Sequence, residues 1–547
     1  MTHADYTLPS TRPRPSAPPK TAFLVASGDL RRDANRDGWK AQQELEAAIA
    51  EALSRVGWEV TRAHPFDKAA GHGFIDSQRM GIEVFSGIPI DAPIIVAESI
   101  WQYSHHVLAG LRSHEGPILT VANFSGEWPG LVGLLNLNAS LTKMGKPYST
   151  TWSVDFSDSW FVDCLNEWLE TGSIIHDESH VRDLPALPST SETELGAAIA
   201  AKLRTDKAII GIFDEGCMGM YNAILDDERI NPLGIFKERL SQSALYAEML
   251  TVETSEAETA YAWLVEQGMH FVTGTDEKSE LTHGQILQQM KMYIAALRIA
   301  DDYALDAVGI QYQQGLKDLV PASDLAEGLL NNALRPPVTS RDGSRILWEG
   351  AAFPHFNEVD EGAGVDALIT NRIWTAMGLD PATTLHDVRW GEQFGDDFVW
   401  VLMISGAVPP SHLVGGYEGS VSERQPARYF PLGGGTIKGI SKPGEIVWSR
   451  IYDQAGALHA DIGRATVVAL PPKETRRRWS LTTSQWPIMH AVLHGVSRDQ
   501  LMSRHKANHV QVAYAPDGET ADRALTVKAA TFVELGIAVH LCGDVAI

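Results

Sequence analysis

A short apolar run at residues 21–26, with the strand signal recurring at 58–63, at 94–97 just after Pro93 and at 117–121, sets the terms for how the first part of this chain can fold. Runs of that length suit strands buried on both faces, and the intervening segments are mostly long enough to cross over a sheet and return in the same direction. Between the first two runs Leu45, Ile49, Leu53 and Val56 recur at helical spacing until Gly57 stops them. Strand, helix and strand in alternation predict a parallel α/β sheet.

A second α/β unit is expected after residues 173–205, a polar stretch with Pro185, Pro188, Ser189 and Ser191 that reads as a linker. Its strands are expected at 208–213 and 307–312, with a long helix from His283 to about Ala300 between them. Beyond about Ala352 the pattern turns to short alternating segments such as 447–452 and 465–470, broken by glycines and prolines, and closes with a helix at 529–535 and a strand at 537–542. The expected organisation is a flexible leader (1–20), two Rossmann-like α/β domains (21–204 and 205–352) and a β-rich, barrel-like domain (353–547). A chain of 547 residues exceeds what one core usually organises, so several domains are the natural reading.

Composition narrows the function. A formal charge of −24 repels phosphate backbones and anionic lipid, and the longest basic run is Arg476-Arg477-Arg478, so nucleic acid is not expected as a partner. Cys164, Cys217 and Cys542 are too few and too scattered for a disulfide framework or a cysteine zinc site. The first twenty residues, with Pro9, Pro13, Pro15, Pro18 and Pro19, lack the apolar core of a signal peptide, and no stretch has the length of a membrane span. These features point to the cytoplasm.

Glu327 falls in the first turn of a helix predicted to begin at Asp324, where it could simply be a capping partner of that aspartate. Asp360 lies in Asn357-Glu358-Val359-Asp360-Glu361, a run of carboxylates that would repel one another unless solvated or neutralised by a cation. His509 heads the alternating run 510–514 and is open to a structural reading. Two carboxylates and an imidazole would suit octahedral Mn²⁺ or Mg²⁺ with positions left for two substrate oxygens. Gly433-Gly434-Gly435 lacks a following helix and reads as a turn, and the adjacent His105 and His106, placed on a strand, would point apart.

Several motifs follow one another in a particular order: Asp318-Leu319-Val320-Pro321, Ser323-Asp324-Leu325-Ala326-Glu327, Glu358-Val359-Asp360 with Gly364-Val365, His386-Asp387-Val388-Arg389-Trp390, Ile404-Ser405-Gly406-Ala407 and Ala507-Asn508-His509. Upstream stand Ser99-Ile100-Trp101-Gln102-Tyr103, the Asn123 to Gly130 segment with its Pro-Gly turn, and Cys217-Met218-Gly219. In this order they resemble the signatures of the L-fucose isomerase family. The resemblance implies a pair of α/β domains followed by a β-barrel-like domain, a metal held by Glu327, Asp360 and His509, and a homohexamer. It gives Glu327 and Asp360 the proton-transfer role and puts Trp101 over the sugar of a neighbouring subunit. Ser405 and Asn508 match positions that touch substrate hydroxyls, and Arg31 and Arg32 fall near an arginine that reaches the sugar. The chain departs from the family pattern in having Leu316 where a tryptophan is expected, an insertion around 335–348 and a shorter tail.

The expected activity is thus a ketol isomerisation of a free sugar such as L-fucose, D-arabinose or a related pentose or 6-deoxyhexose, through an enediol. A metal-dependent lyase or epimerase on a sugar or sugar acid would use the same intermediate. A two-lobed sugar-binding protein without catalysis is the alternative from another class.

Overall fold

The computed structural model describes residues 16–547; most of the expected leader lies outside them. Five strands, β1 (Thr21–Val25), β2 (Glu59–Arg62), β3 (Ile94–Glu98), β4 (Ile118–Asn123) and β5 (Ser149–Ser153), form an all-parallel sheet in the order β2-β1-β3-β4-β5. β3 is buried along its whole length, as a run of Ile, Val and Ala without polar alternation requires. The helix Arg32–Arg55 is longer than the apolar spacing indicated, and it stops before Gly57, whose φ of +75° an L side chain rarely adopts. The strand order reverses direction between β1 and β3, so a crevice opens beyond their carboxyl ends.

β6 (Val181–Asp183) and the helix Ser191–Asp206 occupy the stretch expected to be a linker. That stretch is instead structured: β6 joins the last sheet, and the helix packs against the helix Gly518–Leu535 near the end of the chain. β7 (Ala208–Phe213), β8 (Ile235–Leu240) and β10 (Ala307–Ile310) form a second parallel sheet in the order β10-β7-β8, and β9 (His270–Phe271) pairs with β13 (Val421–Ser422).

The last sheet has eight strands. β11 (Thr384–Phe394), β12 (Asp397–Met403), β14 (Gly444–Gln454), β15 (Ala457–Val467), β16 (Ile488–Leu493) and β17 (His509–Ala515) pair around a closed ring, β14-β17-β11-β12-β16-β15 and back to β14, with every contact antiparallel. Closure leaves these strands no free edge. β18 (Ala538–Cys542) and β6 extend the sheet from β15. The region is β-rich but also holds the helix Glu361–Ala376, nearly all of whose first ten residues are buried. His105 and His106 begin a helix, His105–Ser113, rather than lying on a strand. Among the described residues no helix is long and apolar enough to cross a membrane.

Candidate functional site

The crevice beyond β1 and β3 receives Arg31, six residues past the end of β1, and Trp101, three past the end of β3. Both line one pocket together with Met218 and Gln313 from beyond β7 and β10, Glu358, Asp387 and Arg389 of β11, Ser405 beyond β12, and Tyr429, Phe430 and Trp486. The carboxyl ends of two parallel sheets and one end of the ring of strands thus share a cavity of about 490 Å³, counting its open mouth. Trp101 is 5% exposed and lines the pocket of its own chain.

Each wall has a physical fixture. Arg31 donates from Nε and Nη2 to the Asp29 carboxylate, at 2.9 and 2.6 Å, and its guanidinium lies 4.6 Å from the centre of the Tyr429 ring. Arg32 is exposed and does not line the pocket, so of the two expected arginines only Arg31 belongs there. Ser405 Oγ donates to Asp324 Oδ1 at 2.6 Å, while its carbonyl accepts from Gln425 Nε2, and Gln425 Oε1 accepts from Trp486 Nε1 at 2.7 Å. Asp324 is therefore turned towards the pocket wall and makes no capping box with Glu327; the cap position is Ser323, without a side-chain bond.

Behind the wall lies a buried polar layer. Asp360 Oδ2 accepts from His509 Nδ1 at 2.8 Å and from Arg450 Nη1 at 2.6 Å, and its Oδ1 accepts from the Ala363 amide, capping the helix Glu361–Ala376. His509 Nε2 is 3.2 Å from Asp387 Oδ1. Glu327 Oε2 accepts from Asn357 Nδ2 and is 3.9 Å from His355 Nδ1. Asn508 is fully buried, with Nδ2 against Met220 Sδ at 3.2 Å and Oδ1 without a partner, and it is not among the residues lining the pocket.

The electrostatics of this layer are uneven. Burial tends to raise Asp360, but Arg450 and His509 outweigh it and hold the carboxyl below the ordinary range. Burial opposes the charge on His509, yet its hydrogen bonds to Asp360 and Asp387 lift it to about 9. Lys237 neutralises Glu361 at 2.6 Å, so two of the three crowded acids at 358–361 have protein cations. Among the described residues Asp324, Glu327 and Glu358 make no ion pair with Lys or Arg, though His509 and Arg31 act on Glu358. Burial pushes Asp324 and Glu358 up to about 7, and burial with the nearby Asp324 and Glu358 charges pushes Glu327 well above its ordinary value.

A surplus of buried carboxyl oxygens is the donor chemistry a hard divalent cation takes, and such an ion would relieve the repulsion among them. Among the described residues, however, no three His, Cys, Asp or Glu side chains stand together as a ligand set. Asp360 and His509 face each other rather than a common point.

Sequence reasoning missed Glu358, Asp387, Arg389 and Tyr429 as pocket residues. Glu358 and Val359 both have positive φ, +57° and +54°, which costs ~1–3 kcal/mol for each such residue and turns Glu358 into the pocket. A β-bulge between Val388 and Trp390 re-aims Arg389 in the same way. For Glu358, Asp387 and Arg389 the available signal was their place inside motifs already singled out; Tyr429 lies in none of them. No family model and no curated protein matches this chain.

Proposed function

We propose that the chain is a divalent-metal-dependent aldose–ketose isomerase of the L-fucose isomerase kind. The observation that carries this reading is the meeting of Arg31, Trp101 and Ser405, from three distant parts of the sequence, at one pocket backed by the Glu327, Asp360 and His509 layer. In the proposed arrangement two α/β domains and the barrel-like domain each contribute a wall.

Moving a carbonyl between C1 and C2 requires a proton to leave and return next to it. Trp101 offers a flat apolar cover for the sugar ring or chain. Ser405, whose proton is directed to Asp324, presents its oxygen as an acceptor for a sugar hydroxyl. Glu327 and Asp360 are the proposed proton carriers, with Glu358, which lines the pocket itself, a further candidate at the reacting carbons. Glu327, Asp360 and His509 are the proposed holders of Mn²⁺ or Mg²⁺, an assignment that requires His509 to lose its proton and turn away from Asp360 and Asp387; the ion would polarise the carbonyl oxygen.

Support for catalysis over sugar binding alone comes from the buried carboxyls: a neutral sugar calls for hydrogen-bonding walls, and three acids without cations would only add repulsion. Product analysis separates isomerase from lyase and epimerase, because only the isomerase keeps every carbon and moves the carbonyl. The test is turnover on aldopentoses, 6-deoxyhexoses and sugar acids with Mn²⁺ present; ketose formation supports the reading, and cleavage or inversion without carbonyl movement rejects it.

A further inference from the structure

Arg389 stands out among the buried arginines. It is 2% exposed and lines the pocket, yet it makes no ion pair among the described residues; its Nε and Nη2 donate to the carbonyl of Gly126 at 3.2 and 3.0 Å, and Nη2 also to that of Glu127 at 3.4 Å. Nη1 has no hydrogen-bond partner among the described residues. By contrast Arg450, Arg464, Arg478 and Arg504 are each buried against a carboxylate. Arg335, which also lacks a carboxylate, has both Nη atoms filled by carbonyls.

In a chain with 69 acidic and 45 basic residues, a buried guanidinium left without an acid is not explained by scarcity of partners. Carbonyl dipoles hold the group in place and Asp387 acts on it without forming an ion pair, so its charge is only partly compensated, which is costly for a buried group. A second cation stands nearby at the surface: Arg428 is exposed, does not line the pocket, lies 4.9 Å from the Trp128 ring centre and 5.8 Å from that of Tyr429, and makes no ion pair among the described residues. Arg31, which also lies over the Tyr429 ring, is already matched by Asp29. The acids Glu358 and Asp387 lie on the side of the His509 layer. The pocket lining therefore holds the acids Glu358 and Asp387 together with one guanidinium that no carboxylate pairs with among the described residues.

We propose that the substrate is an aldose whose far end carries an anionic group, a carboxylate or a phosphate ester, received by Arg389 with Arg428 beside it. A planar guanidinium with a free edge suits either oxyanion. This inference rests on the isomerase reading of the same pocket, and it names the substrate class within it.

Binding of carbonyl-free analogues separates the two claims, because alditols cannot be turned over. Calorimetry on the full chain with Mn²⁺ compares D-arabitol with D-arabitol 5-phosphate and galactitol with L-galactonate. The charged member of at least one pair is expected to bind at least tenfold more tightly, and which pair does so distinguishes phosphate from carboxylate. Arg428→Ala, at an exposed position, should reduce that preference severalfold, and Arg389→Gln should remove it. Neutral alditols binding as tightly as both charged partners would overturn the proposal without need of a variant, as would full preference retained in the folded variants. Preference for charge without isomerisation of the matching aldoses would reject the isomerase reading while the anion site stands. Turnover of neutral aldoses with no gain from charge would do the reverse.

Discussion

Asp360 and Arg450 form a fully buried ion pair at 2.6 Å, and His509 shares the same carboxylate oxygen from 2.8 Å. Removing one member of such a pair leaves a charge stranded away from water. Arg450→Met should therefore lower the stability of the folded chain by about 3–5 kcal/mol, read by urea denaturation. A loss under about 1 kcal/mol, the size typical of exposed pairs, would show that Arg450 does not hold Asp360.

Glu358 reaches the pocket only because its backbone and that of Val359 are held at positive φ. If it moves a proton at the reacting carbons, Glu358→Gln should reduce kcat by about a hundredfold or more while leaving the melting temperature within a few degrees. Unchanged kcat would confine proton transfer to Glu327 and Asp360.

Trp101 lines the pocket of the chain that carries it. Mixing Trp101→Ala protein with Glu327→Gln protein, then dissociating and reassembling any oligomer, should restore no activity, because no pocket regains both residues. Recovery of about a quarter or more of wild-type turnover would mean that the tryptophan serves a neighbouring subunit.

His64 Nε2 accepts the Ala26 amide hydrogen at 3.1 Å, fixing the chain as it leaves β1 on the way to Arg31. Burial, helped by Arg62, depresses this histidine to about 3 from an ordinary value of 6.5. Above 6.5 it is neutral folded or unfolded and adds no pH dependence; below that the unfolded chain takes up a proton that the folded chain refuses. Stability should thus fall as pH drops from 6.5 towards 3, by up to ~1.4 kcal/mol per pH unit from this group. Denaturation series at pH 7 and pH 5 should show a smaller difference for His64→Gln than for the natural chain, and equal differences would contradict the assignment.

How much was legible beforehand follows from what each signal encodes. β5, made of Ser, Thr and Trp, carries no continuous apolar run, whereas the other four of the five strands of the first sheet were legible, β3 most plainly as such a run. The helix Glu361–Ala376 was not, because burial on nearly all sides erases the polar face that gives a helix its period. The stretch at 173–205 read as linker because β6 is short and largely polar and gains its partners only from β18, over three hundred residues later. At the site, Trp101 and Ser405 were singled out from motif order and Arg31 only from its nearness to an expected arginine, whereas the directions of Glu358 and Arg389 are set by positive φ and a bulge, which residue spacing does not encode. The capping reading of Asp324 failed because Ser405, distant in sequence, took its carboxylate instead.

Isomerisation itself is tested most directly by carbon NMR in heavy water. The full chain with Mn²⁺, its metal content measured, is given C1-labelled L-fucose, D-arabinose, D-arabinose 5-phosphate and galacturonate, with a chelator-treated sample and Glu327→Gln alongside. The account predicts that the labelled carbon of at least one substrate changes from an aldehyde carbon to the hydroxymethyl carbon of a ketose, with deuterium on it, and that removing the metal or the Glu327 carboxylate stops the change. No carbonyl movement on any of these sugars, with metal bound, would contradict it.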